Sequence, residues 1–226
     1  MNHSILSVTT QASDLTLLEI DELREAAEVV GTAQDKNLRR FGLRVAARIA
    51  ASCRIRRGGA FPATLREESL LETFRRNLFG GVYDQPLGGH SDYWAGGRLR
   101  RRLRLSRRPI VSLDSLTFDG NSQDVSAATI LVDSVGGFIE YLPGKGAFYG
   151  MAVAVSYTAG FATVPEDLKL AARMLLQQYL ATDAQEPGLK QINVPNILER
   201  QYYQTPTEKD IPQNILDILA PYRNED

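Results

Sequence analysis

The sequence predicts an α+β fold, with a helical core, a small antiparallel β meander and an extended C-terminal arm. Three observations carry this. Two early stretches place apolar residues at helical spacing, and a third does so near residues 165–182. Between the second and third lie short apolar runs separated by turn-forming pairs. A polar, proline-bearing stretch with scattered apolar residues then precedes a last short helix. The expected organisation is a core domain over 1–182, with a loop excursion of about 58–97, and an arm over 183–226.

Each element has a local cause. Thr16 and Glu19 form a capping box in which each side chain satisfies the other's free N–H, and Leu17, Ile20, Leu23, Ala27 and Val30 follow at helical spacing up to Gly31. Thr32 opens a second helix. Leu38, Phe41, Val45, Ile49 and Cys53 share one of its faces, and Arg40, Arg44 and Arg48 recur every fourth residue beside them.

From Arg56 to Gly97 the periodicity weakens, apart from a short apolar stretch around Leu70, Leu71 and Phe74. Residues 80–97 are rich in turn formers and read as a long exposed loop. Its Tyr83, Tyr93 and Trp94 either pack against something on assembly or pin the loop to its own domain.

Residues 98–105 alternate with period two, Leu99, Leu103 and Leu105 on one face and Arg98, Arg100, Arg102 and Arg104 on the other. Further strands are expected at Ile110 to Phe118, Thr129 to Val132, Phe138 to Leu142 and Met151 to Tyr157. The turns between them fall at Asp119-Gly120, Gly136-Gly137 and Gly144-Lys145-Gly146. Pro165 and Glu166 start a helix that buries Leu168, Ala171, Ala172, Leu175, Leu176 and Tyr179, and a small helix runs from Pro212 to about Leu219.

The net charge of −1 conceals segregation. Residues 1–38 hold 2 basic and 7 acidic groups, residues 39–108 hold 17 and 5, and residues 109–226 hold 7 and 15. All 17 cations of the middle segment are arginine, whose planar fork suits carboxylates and phosphates. Such a segment either seeks an anionic partner or is neutralised within the fold.

Candidate chemistry is sparse. His3 and His90 lie at the start of the chain and in the glycine-rich loop, and Cys53 falls on an apolar helix face. Gly144-Lys145-Gly146 fits neither the phosphate-loop nor the dinucleotide spacing, and the carboxylates are dispersed. No catalytic group, cofactor or metal is expected, and one cysteine allows no internal disulfide. The start MNHSILSVTT lacks a signal-peptide layout and no run is apolar enough to span a membrane, so the chain is expected to stay in the cytoplasm where it is made.

The order of elements resembles the head-tail connector, or adaptor, family of tailed bacteriophages. The likeness rests on Tyr157-Thr158-Ala159-Gly160-Phe161 leading through Val164-Pro165 into a helix with Leu168, Lys169 and Ala171. Residues 107–120, RRPIVSLDSLTFDG, and the closing Leu219-Ala220-Pro221-Tyr222-Arg223 add to it. The excursion of 58–97 is longer than is usual in that family, and no family role is carried onto it.

The resemblance implies a structural virion protein at the head-tail interface. Such a protein forms a ring of identical copies, usually twelvefold, between the portal protein and a downstream stopper or tail-completion protein. DNA passes through its lumen without sequence specificity. Candidate contacts to the neighbouring subunit, the portal or channel DNA are Arg40, Arg44, Arg48, Arg98, Arg100, Arg102 and Arg104. Protein contacts are favoured, because a channel that grips phosphate would impede DNA passage. The candidate portal-docking arm comprises Ile215, Leu216, Ile218, Leu219, Tyr222 and Arg223, unless these apolar residues fold back on the core. Two rival readings stay open: a nucleic-acid-binding protein using residues 39–108, and another virion ring component such as a stopper or tail-completion protein.

Overall fold

A computed structural model describes residues 4–75, 101–148, 152–183, 191–194, 198–201 and 211–224. The fold is α+β, as expected, and divides into two units through which the chain passes more than once. The sheet unit comprises Met1–Leu15, Arg54–Thr163 and Asn224–Asp226; the helical unit comprises Thr16–Cys53 and Val164–Arg223.

The sheet unit contains a five-stranded antiparallel sheet and a smaller three-stranded one. In chain order the strands are β1 (Ser4–Thr10), β2 (Glu68–Arg75), β3 (Arg102–Arg104), β4 (Ile110–Phe118), β5 (Asn121–Ser122), β6 (Ile130–Asp133), β7 (Phe138–Tyr141) and β8 (Ala152–Ala159). The large sheet has the order β1-β2-β8-β4-β5 and the small one β3-β7-β6. The expected meander is therefore broken up. Tight hairpins do join β4 to β5 and β6 to β7, but β8 returns to lie between β2 and β4.

Strands β1 and β2 escaped the sequence reading. Both alternate strictly: Leu6 and Val8 point inward from β1, and Leu70 and Phe74 from β2. Two of the inward positions of β2, however, hold carboxylates, Glu68 and Glu72, which disguise the apolar face. The inward residues Val153, Val155 and Tyr157 of β8 pack with Leu116 and Phe118 of β4 and with Phe148 in one core. Each such side chain contributes about 1.5–3 kcal/mol on burial. Asp119 and Gly120 turn the β4–β5 hairpin with φ of 49° and 85°, the left-handed pair that a tight two-residue turn demands.

The helical unit holds α1 (Ile20–Ala26), α2 (Asp35–Ser52), α3 (Glu166–Asp183) and α4 (Gln213–Leu219), with a 3₁₀ turn over Ala220–Tyr222. A two-stranded hairpin, β9 (Gln191–Val194) with β10 (Leu198–Gln201), lies between α3 and α4 in sequence. The first helix is shorter than its apolar pattern suggested. Its capping box is Glu19 with Glu22, three residues later than expected, because Thr16, Leu17 and Leu18 are buried in a bend of the chain ahead of the helix. It ends at Ala26, before Glu28 takes a left-handed φ of 54°, so Val30 is 99% exposed and Gly31 lies beyond the stop. Helix α2 likewise begins at Asp35 and not at Thr32. Leu38, Val45, Ile49 and Cys53 are buried as the spacing implied, and Gly42 lets Leu23 of α1 approach, since a Cβ there would stand 3.2 Å from the Leu23 side chain.

Candidate functional site

The arginines that dominate residues 39–108 separate into those neutralised within the fold and those left at its surface. In the sheet unit, two carboxylates on the inward face of β2 take charge of the neutralised set. Glu72 accepts hydrogen bonds from Ser4 Oγ at 2.6 Å, from the Ser106 N–H at 2.9 Å and from Tyr157 Oη at 3.0 Å. The Ser106 hydroxyl adds a 2.5 Å contact, and Arg56 stands 3.7 Å away. Arg56 also donates to the Ser4 hydroxyl and carbonyl.

Four residues along β2, Glu68 faces Arg107 at 3.4 Å, and Arg107 donates to the Thr64 carbonyl. Burial raises the Glu68 carboxyl above its ordinary value against the pull of Arg107, and burial lowers the Arg107 guanidinium. Burial, reinforced by Glu72, pushes the Tyr157 phenol well up. This network fastens the segment at 104–108 to β2 and β8. It is an internal clasp in which Arg107 is buried and the Arg56 side chain, 40% exposed, closes the edge.

The candidate arginines left at the surface lie on β3 and α2, while Arg54, Arg57, Arg75 and Arg101 are exposed elsewhere in the sheet unit. On β3, Leu103 is buried while Arg102 is exposed and Arg104 half-buried, as the period-two pattern implied. Arg102 stands opposite Glu140 of β7, and its guanidinium lies over the Phe138 ring. Arg98, Arg100 and the loop 80–97 lie outside the described residues, so the ladder is followed over only half its length.

On α2, Arg40 and Arg44 are exposed and Arg48 half-buried. Arg44 packs over Phe41 and over Tyr179 of α3, with 5.7 and 5.6 Å to the ring centroids. Lys36, Arg39 and Leu43 are exposed on the same helix and were missed. The signal was present: Arg39 and Leu43 are four apart, one position off the Arg40–Arg44 pair, so they fall on the same outward side.

The proposed arm is part core and part surface. Ile215 and Leu219 are buried in the helical unit, so α4 folds back on its own unit through these two. Leu216, Ile218 and Tyr222 are half-buried and Arg223 is exposed. Tyr222 donates to Asp167 at 2.6 Å, and burial together with that carboxylate raises its phenol; Arg223 donates to the Ser52 carbonyl. Cys53 is buried, and among the described residues no three His, Cys, Asp or Glu side chains group as a metal site. No described helix is long and apolar enough to cross a membrane.

No curated protein matches the chain. A solved structure described as the neck of an empty GTA particle computed with C6 symmetry contains a chain with a similar fold. The TM-score is 0.58 at 17% identity, over 98% of this chain and 96% of that one. The sequence profile of the head completion protein family matches residues 81–225, well over half the length. The chain therefore belongs to the head completion protein family, and it is a structural, non-enzymatic virion component of the phage head-tail joint.

Proposed function

We propose that this protein forms a closed ring of identical copies beneath the portal, through which DNA passes and onto which a stopper or tail-completion protein docks. The observation that supports this most is the end-to-end likeness to a neck chain combined with family membership. The C6 symmetry of that particle is compatible with six copies or with a multiple of six, and a twelvefold ring is our reading. A ring needs two different complementary surfaces on each protomer, and the segregated charge of this sequence supplies both signs.

In this reading the surface arginines of β3 and α2 serve protein contacts more than DNA. Arg102 is already engaged with Phe138, opposite Glu140, which tempers its charge toward phosphate. The C-terminal helix docks on the portal through Leu216, Ile218, Tyr222 and Arg223, because Ile215 and Leu219 are occupied by their own unit. Pull-down of the purified portal with a Leu216→Asp/Ile218→Asp variant tests this. Loss of portal capture with an unchanged circular dichroism spectrum supports the docking surface, and full capture contradicts it. A gel shift with steep salt dependence would instead favour nucleic-acid binding by the arginines.

A further inference from the structure

The first two helices of the helical unit are divided by charge. From Thr16 to Asp35 the chain carries six carboxylates and one arginine; from Lys36 to Cys53 it carries five cations and no carboxylate. Folding brings the two halves together at Asp35, which also feels the charge of Arg39; the principal ion pairs are made elsewhere. Glu22 of α1 is met by Lys169 at 3.0 Å and Arg173 at 3.3 Å, both from α3. Asp35, at the head of α2, is met by Arg24 of α1 through two hydrogen bonds of 2.8 and 2.5 Å.

What remains is one surface of each sign. Lys36, Arg39 and Arg40 are exposed on α2, and neither Lys36 nor Arg40 has an ion pair or hydrogen bond among the described residues. On the other side, Glu25 and Glu28 are exposed, and the Asp21 carboxylate, 84% exposed, is ion-paired with Arg24 at 2.5 Å. Leu43, 44% exposed, sits one turn beyond Arg39 and Arg40 in the middle of the cationic face.

Resting on the ring reading above, we propose that the cationic face of α2, centred on Arg39, Arg40 and Leu43, docks on the acidic α1 edge of a second copy, built from Asp21, Glu25 and Glu28. Neither surface can pair with itself, because like charges would meet, and within the ring reading each copy gives its cationic face to one neighbour and its acidic edge to the other, a head-to-tail contact. Three exposed cations meet the exposed carboxylates of Glu25 and Glu28 and the outer side of the Arg24-paired Asp21, and the arginine fork matches a carboxylate in two hydrogen bonds. Leu43 supplies the apolar centre that a charged rim shields from water. The matched acidic surface on the same unit is what favours a second copy over phosphate or portal as the occupant.

Two variants test this, Arg39→Glu/Arg40→Glu and Glu25→Arg/Glu28→Arg, with native mass spectrometry as the readout and circular dichroism as the check on folding. Each variant alone should fail to assemble under conditions where the wild type forms rings. An equimolar mixture should assemble into even-numbered rings of alternating protomers, because every contact then joins opposite charges. Leu43→Ala should raise the concentration for half-assembly about tenfold. Rings formed by Arg39→Glu/Arg40→Glu alone, or folded variants that fail to co-assemble, overturn the proposal while leaving the ring reading standing. Rings that form normally but lose portal or DNA binding overturn it too, and assign the face to that partner. A wild-type chain that never oligomerises, with or without portal, contradicts both readings.

Discussion

Arg107 and Glu68 face each other at 3.4 Å inside the sheet unit, the guanidinium side chain 5% exposed and the carboxylate 0%. Neither ion has ordinary solvation to fall back on. Removing one partner strands the other, so Arg107→Met should destabilise the sheet unit by about 3–5 kcal/mol in urea denaturation followed through its β-sheet signal. The double variant Arg107→Met/Glu68→Leu should recover most of that loss, since apolar replacement of a buried pair is near neutral.

Glu72 and Tyr157 set up a graded comparison. Tyr157→Phe removes one donor of several and should cost about 1–2 kcal/mol in the same assay. Glu72→Leu leaves the buried Ser4 hydroxyl and the Ser106 N–H without their acceptor and should cost more, about 3 kcal/mol. Equal effects would mean that Tyr157, and not the carboxylate, organises the cluster.

Gly160 gives the Tyr-Thr-Ala-Gly-Phe segment a physical reason. Its φ is 113°, and an added Cβ would lie 2.3 Å from the Arg66 carbonyl oxygen, where Phe161 and Arg66 form a parallel bridge. Gly160→Ala must move backbone as well as adopt a strained angle, and should lower stability by about 2–3 kcal/mol or more, read as a fall in the unfolding midpoint.

The helical unit should weaken in acid through Glu22. Burial alone would raise this carboxyl, but the Glu19 N–H together with Lys169 and Arg173 hold it below the ordinary 4.5. A lowered folded value means that the stabilisation is complete above about pH 4.5 and is lost as pH falls through the folded value. Glu22→Gln should therefore be less stable than wild type at pH 7 and should show a flatter loss of stability below pH 4.5, measured by thermal unfolding of the α-helical signal.

Much of the fold was legible where local pattern and tertiary environment agree. The β4 span, the Asp119-Gly120 hairpin and the apolar face of α3 followed from spacing alone. Strand β2 was illegible because Glu68 and Glu72 stand where apolar residues normally mark the inward face, and their acceptability depends on Arg107, Ser106 and Tyr157, all distant in sequence. The same distance hides the fate of the arginines. Composition marks residues 39–108 as cationic, but only the folded pairs distinguish Arg107, clasped by Glu68, from Arg40, exposed on α2. Order among β1, β2, β8 and β4 is likewise a long-range property that no hairpin signal encodes.

The central claim is tested most directly by the native mass of the 25.0 kDa chain, alone and mixed with the portal of its own phage. The account expects a closed ring of identical copies, about 300 kDa for twelve, that forms on or is stabilised by the portal. A chain that remains at 25.0 kDa with the portal present would contradict it.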